Sequence, residues 1–518
     1  MDGQEAAQPA TPAATDKLDR SVIVTGLVVV AGLIMVILDT TIVNVALDTL
    51  SAQLNASLST AQWVVTGYLL AVGLVIPLSG WAMDHFGTKT VWITSLVLFT
   101  GGSILCAFAW SMGSLIAFRI IQGLGGGMLL PGGQTIIGRA AGPDRIGRAM
   151  ALLGVPMLLG PVFGPIVGGL LVEYASWHWI FLVNVPVGIL AVSLAVWKLP
   201  HGRPTEDAGR LDTRGLVLLS GGLVCLLYGL SQASAHGSFS GWDVVGWLLA
   251  GAVLITLFVL HSLQRGSAAL IDVRLFSNRL FAAGAVAIFL VAIALFGGLL
   301  MLPLYYQSVR LEGPLGAGLL VAPQGLGAML AMPIAGRITD RFGAGRVVPF
   351  GVILLIIGTF PFTQVGTDTS YVLLTIALFV RGLGLGATMM PTIATSYSRL
   401  SRASMSRATP TISAIQQVGG SLGGALLVFV FSRQLTSEFD AAGIPSQGGA
   451  GQISSIPTAV HDQVAPLLAT AYQHAFWTAL ILTAFVMIPA LFFPRRLHRE
   501  SAEATAPAPE AQPEVAGD

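Results

Sequence analysis

A single carboxylate, Asp39, lies inside a hydrophobic run that begins near Ser21 and is long enough to cross a bilayer. Thr40, Thr41 and Asn44 surround it with hydroxyl and amide groups. A charge at that depth costs at least about 2.5 kcal/mol and is seldom kept without a use. A buried carboxylate can bind a proton or pair with a cation, so Asp39 is the first candidate for a functional residue.

Arg119 is the cation best placed to pair with Asp39. At about 1.5 Å per helical residue, Asp39 lies about 12 Å and Arg119 about 9 Å from the outer ends of their helices. A guanidinium within reach favours the ionised carboxylate, whereas burial favours the neutral acid. The two residues therefore form a candidate proton-coupling site. The alternative is a static pair that only orients two helices.

The composition indicates a polytopic membrane protein. Of the 518 residues, 54% are hydrophobic and 10% are charged, whereas soluble domains carry about 25% charged residues. A spanning helix needs about 20 apolar residues, and fourteen such segments follow one another with mostly short connections. Most Lys and Arg residues fall on one side of these segments, which places both termini in the cytoplasm by the positive-inside rule.

An internal repeat divides the chain into two parallel halves. The Gly, Asp, Phe and Gly at positions 80, 84, 86 and 87 recur with identical spacing at 336, 340, 342 and 343. The copies follow the second and the tenth segments, a shift of eight that two six-helix halves and two inserted helices explain. The predicted organisation is a disordered cytoplasmic tail (1–20), an N-terminal six-helix bundle (21–199), a linker with two extra transmembrane helices (200–279), a C-terminal six-helix bundle (280–494) with an external loop (435–473), and a second disordered cytoplasmic tail (495–518).

The chain resembles the major facilitator superfamily, and within it the fourteen-helix drug:proton antiporters of the quaternary-ammonium and multidrug exporter kind. The resemblance covers about residues 21–494 and rests on the 80–89 loop, the helix-4 segment 119–125 and the Gly/Pro-rich helix-5 segment 154–169. In the family the helix-5 motif is held to mark exporters. The resemblance implies an all-α fold of fourteen transmembrane helices that works by alternating access, and no enzyme activity.

Two of these motifs supply candidate gating residues. The resemblance implies that the 80–89 loop locks a cytoplasmic gate, and the repeat gives that loop a second copy. In helix 5, glycines spaced by four permit close approach of another helix, and prolines bend the helix. The gating candidates are Gly80, Asp84, Gly87, Lys89, Gly160, Pro161, Gly164, Gly168 and Asp340.

Polar and aromatic side chains in the spanning helices are candidates for a cargo cavity, because a few such groups among apolar ones can hold a mostly apolar drug. They are Thr40, Asn44, Gln122, Tyr305, Gln307, Gln324 and Arg381. Arg381 lies near mid-depth, where it can serve an anionic cargo or coupling, or be a structural residue paired with backbone carbonyls.

These observations predict a bacterial inner-membrane exporter that exchanges protons for amphipathic drugs. Its expected partners are drug-like substrates, protons and membrane lipids; it is expected to be a monomer and to bind no nucleic acid. The glycine-rich segment 123–127 lies in a spanning helix and no Walker lysine motif follows it, so the proton gradient rather than ATP is the expected energy source. No cofactor or metal is expected. The alternatives are a lipid or metabolite exporter, a proton-coupled importer and a non-transporting scaffold.

Overall fold

The computed structural model describes residues 19–56, 58–141, 146–200, 210–398, 400, 404–443 and 461–495, and within these ranges the chain is helical without strands. By length and composition, 12 helices within these ranges can cross a membrane, or up to 13 when a bent pair is taken as one span. Ile146–Tyr174, with 29 residues, is a further long helix. This architecture is consistent with the predicted fourteen spans.

The long helices are numbered here in chain order. They are α1 (Arg20–Val45), α2 (Trp63–Val75 and Leu78–Phe86), α3 (Thr88–Ala107), α4 (Met112–Ala141), α5 (Ile146–Tyr174), α6 (Asn184–Lys198), α7 (Thr213–His236), α8 (Trp242–Arg265), α9 (Arg279–Ser308), α10 (Pro314–Phe342), α11 (Ala344–Thr359), α12 (Tyr371–Tyr397), α13 (Met405–Ala441) and α14 (His461–Phe485). The two parts of α2 meet at an angle of 55°, next to Pro77, which lacks a backbone donor.

The predicted external segment 435–473 is helical at both of its ends. α13 continues to Ala441 and α14 begins at His461, because apolar side chains there, such as Leu435 and Leu468, are buried in the C-terminal bundle. Residues 444–460 lie outside the described part of the chain, as do most of the two predicted tails.

The internal repeat is visible in the backbone. Gly87 follows α2 and Gly343 follows α10, and both have a φ of 84°. This left-handed value favours glycine, which has no Cβ to clash with the backbone. Each glycine joins its helix to the next one without an intervening loop. The two copies of the motif therefore form the same tight turn between two helices.

The inserted helices lie at the outside of the junction between the bundles. α7 packs against α2 and α13, and α8 packs against α7. On α7, Ser220 donates to the Leu74 carbonyl at 2.6 Å, and Ser231 is 3.3 Å from the hydroxyl of Thr66. The first inserted helix is thus attached to the N-terminal bundle by polar contacts as well as by apolar packing.

In the described part of the chain, the two bundles share one large apolar core, which lies at one end. We call this the basic end, because Lys89, Arg139 and Arg337 lie there. Helix α1 also begins at this end. Its core combines Leu129 and Met150 of the first bundle with Met332, Met405 and other residues of the second. At the opposite end each bundle has a core of its own. The structure is therefore closed at the basic end.

Candidate functional site

Asp39 and Arg119 meet in the interior of the N-terminal bundle. Arg119 Nη1 donates to Asp39 Oδ2 at 2.5 Å, and the two side chains are 1% and 0% exposed, respectively. α1 and α4 thus bring the two residues to the same depth, as the residue count from the helix ends predicted. An ion pair this deep offsets the large cost of removing both charges from water only when further hydrogen bonds complete it.

Those further hydrogen bonds come from two amide side chains. Gln122 Nε2 and Asn184 Nδ2 donate to Asp39 Oδ1 at 3.0 and 2.9 Å. Both amides also donate to Ser103 Oγ, at 2.6 and 3.1 Å, and Gln122 Oε1 accepts from Arg119 at 2.7 Å. The carboxylate therefore accepts hydrogen bonds from three donors, which lie on α4 and α6.

Arg119 is held from its other side by α2. Its Nε donates to the Val64 carbonyl at 3.2 Å, and its guanidinium carbon lies 4.3 Å from the centre of the Tyr68 ring. The Phe181 ring is a second aromatic neighbour, at 5.7 Å. Cation–π contacts stabilise a desolvated guanidinium by about 2 kcal/mol. Arg119 therefore keeps several partners if the carboxylate is neutralised.

The glycines of the helix-5 motif pack against the helix that carries Asp39. Side chains at Gly160, Gly164 and Gly168 would overlap or crowd α1 at Ile37, Thr41 and Ile42, respectively. Thr41 Oγ1 also donates to the Gly160 carbonyl at 3.2 Å. The side chain of the gating candidate Pro161 lies outside the described residues. This glycine stripe (Gly160, Gly164 and Gly168) allows α1 and α5 to approach at backbone distance.

At the basic end, Asp84 links the two bundles. Asp84 Oδ1 accepts from Arg139 Nη2 at 2.8 Å, and Oδ2 accepts from Ser406 Oγ at 2.7 Å. Ser406 is in the first turn of α13, where the helix dipole favours a nearby negative charge. A side chain at Gly80 would overlap the Ser406 carbonyl. The segment 80–89, predicted as a loop, is helical apart from Gly87, and its residues Gly80 and Asp84 hold the start of α13 against α2.

Two further hydrogen bonds join the bundles near this end. Thr135 and Thr409 are 2.6 Å apart at their hydroxyl oxygens, and the Tyr397 hydroxyl donates to Gln134 Oε1 at 3.1 Å. All four residues are buried. The closure at the basic end therefore consists of a polar layer on top of the shared apolar core.

The family model described as "Major Facilitator Superfamily" matches residues 29–426. The chain belongs to the major facilitator superfamily. It is 41% identical over 496 residues to the "Multidrug resistance protein B homolog" of Mycobacterium tuberculosis strain H37Rv, covering 93% of this chain and 92% of the relative. The protein is thus a multi-pass membrane protein of a transporter family.

Solved transporters of the superfamily have the same fold. The human organic anion transporter MFSD10 (TETRAN) superposes with a TM-score of 0.60 at 16% identity, covering 91% of this chain and 100% of that one. The proton:xylose symporter XylE superposes with a TM-score of 0.55 at 15% identity, covering 89% and 94%. At these identities the likeness shows the fold alone.

Another gating candidate of this superfamily member, Lys89, makes its contacts within the first bundle. Lys89 Nζ donates to the carbonyls of Val196 and Leu199 at 2.7 and 2.9 Å. It therefore fixes the end of α6 to α3 within the first bundle. Asp340 lies near the end of α10, at the place in the second bundle that corresponds to Asp84.

The candidates for a cargo cavity are distributed over several places. Gln122 belongs to the Asp39 network described above. The Thr40 hydroxyl donates to the Ile37 carbonyl of its own helix at 2.8 Å, and the Asn44 side chain lies outside the described residues. Tyr305 is buried and donates to the Gly366 carbonyl at 2.8 Å.

The remaining cavity candidates lie in the second bundle. Gln307 is half-buried near the end of α9, whereas Gln324 and Arg381 are buried and bonded to each other. Among the candidates whose side chains are described, Gln122 therefore lies in the interior of the first bundle and Gln324 and Arg381 in that of the second.

Sequence reasoning gave too little weight to two residues of the Asp39 network. Neither Asn184 nor Ser103 is among the candidates taken from the sequence. Both are polar side chains within apolar helices, which is the signal that could have found them. Their hydrogen bonds to Asp39 and Gln122 depend on how α3 and α6 are rotated about their own axes. The sequence alone does not give that rotation.

Proposed function

We propose that this chain is a proton-coupled exporter of amphipathic, drug-like compounds. The observation that carries the proposal is the Asp39–Arg119 pair, fully buried within one bundle of a transporter fold that is closed at one end. The glycine stripe on α5, which resembles the exporter motif, supports the direction of transport. The name of the Mycobacterium tuberculosis relative supports drugs as the class of cargo.

The basic end faces the cytoplasm in this proposal, because short loops rich in Lys and Arg stay on that side. Both termini are then cytoplasmic, the protein resides in the bacterial inner membrane as a monomer, and the structure corresponds to a conformation closed towards the cytoplasm. The proton gradient supplies the energy and no cofactor takes part.

The proton acts at the Asp39 carboxylate. In the closed conformation this group has no exposed surface, so proton binding from outside requires a rearrangement that opens the network. Protonation neutralises the carboxylate and removes its attraction for Arg119. The guanidinium keeps the Gln122 and Val64 oxygens as acceptors, so it stays solvated by the protein while α1 is released from α4.

Helix α5 carries this change to the rest of the molecule. α1 packs on the glycine stripe, and α5 also packs along α10 of the second bundle. A shift of α1 therefore changes the position of α5 against the other half. Alternating access then follows as the two bundles rock about a site near the membrane midplane. Cargo leaves to the outside when Asp39 is protonated, and the proton leaves to the cytoplasm in the opposite conformation.

The proposal is tested with inverted membrane vesicles that are acidified inside. Ethidium added to vesicles with the wild-type protein should accumulate inside and cause proton efflux, which a pH-sensitive dye reports. Asp39→Asn should abolish both signals and leave the amount of folded protein unchanged. Asp243→Asn is the matched control, because Asp243 is about half exposed and pairs with His236 on the surface of the inserted helices.

Each alternative has its own result in the same assay. Proton exchange that persists in Asp39→Asn contradicts the assignment of the coupling residue. Ethidium uptake in right-side-out vesicles only would mean import. A wild-type protein that exchanges no protons on adding ethidium, but does so with extracted membrane lipids, would be a lipid exporter.

A further inference from the structure

The C-terminal bundle buries a second guanidinium, that of Arg381 on α12. The residue is 6% exposed; its Nη1 donates to Gln324 Oε1 at 2.5 Å and its Nη2 to the Ala294 carbonyl at 3.2 Å. Both acceptors are neutral. In the described part of this bundle the acids, such as Glu312, Asp340 and Asp368, lie at helix ends or in connections. Among the described residues Arg381 therefore has no carboxylate beside it, unlike Arg119, and such a buried cation is costly in a membrane.

The repeat shows what Arg381 corresponds to in the first bundle. Gly102 on α3 packs against the backbone of Gln122, and its counterpart Gly358, 256 residues later, packs against the backbone of Arg381. The following glycines agree with this correspondence, since position 123 packs on the carbonyl of residue 68 and position 382 on that of Gln324. Arg381 thus occupies the place of Gln122, a direct neighbour of the acid.

The place of the acid itself is taken by an apolar residue. Leu295 on α9 is 256 residues after Asp39. Leu295 and Arg381 line a cavity of about 10 Å³ together with Gln324 and Thr483. That volume holds about one water molecule. A guanidinium with donors to spare therefore borders a small space where the first bundle has its carboxylate.

We propose that this cavity is a binding site for a small monovalent anion, a halide ion such as chloride. Arg381 supplies the positive charge. Gln324 uses its Oε1 to accept from Arg381, so its NH₂ group supplies a second donor. A bound anion completes the second bundle in the way Asp39 completes the first one, because it neutralises the buried cation and accepts its remaining hydrogen bonds. The inference rests on the geometry of the second bundle and does not require the proposed transport function.

Thermal unfolding of the purified full-length protein tests this site. Sodium chloride is titrated into a buffer free of other monovalent anions, and the Tm is followed by tryptophan fluorescence; sodium benzoate, whose anion is too large for the cavity, is titrated separately as a control. The wild-type Tm should rise by a few degrees and saturate. Arg433→Gln removes an equal charge from an exposed position on α13, so it should respond as the wild type does. Arg381→Gln should not respond, and without anion it should be at least as stable as the wild type, since an uncompensated charge has been removed.

The results distinguish binding in the cavity from a general effect of anions and can overturn the site. A saturable response to chloride without a response to benzoate supports a halide site in this cavity, and an equal response to both anions contradicts it. An equal response in Arg381→Gln and the wild type, or no saturable response at all, overturns the proposal. If Arg381→Gln does not fold, Gln324→Leu replaces it and should raise the anion concentration at half-saturation about tenfold; an unchanged value contradicts the proposal.

Discussion

Thr41 on α1 donates its hydroxyl hydrogen bond to the carbonyl of Gly160 on α5, at 3.2 Å. Thr41 lies two residues after Asp39, and Gly160 is the first glycine of the stripe. The same hydroxyl also lies within 3.2 Å of the carbonyls of Ile37 and Leu38 on its own helix. The proposed coupling residue Asp39 therefore lies two residues along α1 from a direct contact with α5, the helix that packs against the other bundle.

The contact between α1 and α5 should not tolerate a side chain at position 164. Gly164→Leu would overlap Thr41, and overpacking of this kind costs about 1–3 kcal/mol. We expect ethidium efflux to fall at least tenfold because α1 and α5 can no longer approach. Gly169→Leu is the control, since a Cβ there meets nothing within 4 Å, and it should retain efflux. Equal activity of the two variants would contradict a role for the stripe.

The closure at the basic end should depend on Gly80. A Cβ in Gly80→Ala overlaps the Ser406 carbonyl, which is rigid backbone, so the closed conformation should lose population. Electron paramagnetic resonance between spin labels at exposed residues Lys198 and Arg337, one on each bundle, should report longer distances than in the wild type. Gly113→Ala has open space around its Cβ and should leave the distances unchanged. Wild-type distances in Gly80→Ala would mean that this motif does not determine the closure.

Much of the fold could be predicted from the sequence, because a bilayer restricts the solutions. Apolar length sets the spans, basic residues set the orientation, and the repeated tight turn at Gly87 and Gly343 relates the two bundles. The meeting of Asp39 and Arg119 followed from the depth of each residue in its helix. The depth of a residue in the membrane depends only on its distance along its own helix, so counting residues from the helix end is sufficient to estimate it.

The rotation of helices and small differences between the repeats could not be predicted in the same way. Asn184 reaches Asp39 only because α6 presents that side towards α1. A constant offset of 256 residues relates Arg119 to Thr375, whereas the packing relates Arg381 to Gln122, because the connection ahead of α12 is longer than its counterpart ahead of α4. The alternating glycines that follow both residues carry this information, and they could have corrected the offset.

Asn184 should contribute to both the stability and the activity of the Asp39 network. Asn184→Leu removes one of three donors to the carboxylate and leaves Ser103 with one partner fewer. Leaving buried polar groups with lost bonds costs about 1–3 kcal/mol, so the Tm and the proton-coupled efflux should both fall. Ser193→Leu on the exposed face of the same helix is the control and should change neither by much. A normal Tm with normal efflux in Asn184→Leu would exclude Asn184 from the network's function.

A buried acid at the basic end fixes the inserted helices to each other. Asp212, directly before α7, is 1% exposed and accepts from Arg265 Nη1 at 2.8 Å and His261 Nε2 at 3.0 Å. The backbone N–H groups of Gly215 and Leu270 donate to it at 3.1 and 3.3 Å. Burial by itself raises the pKa of Asp212, but the hydrogen bonds from His261, Gly215 and Leu270 and the charge of His261 outweigh it and lower the pKa below its ordinary value.

The stabilisation from Asp212 should therefore depend on pH. Because the pKa is lower in the folded state, the contribution is fully present above the unfolded value of about 3.9 and is lost as the pH falls through the folded value. Asp212→Asn should lower the Tm at pH 7, and the difference from the wild type should shrink below about pH 4. Thermal unfolding between pH 3 and pH 8 measures this, with Asp243→Asn as the surface control. A Tm difference that is the same at pH 3 and pH 7 would show that Asp212 acts through its shape and packing rather than through its charge.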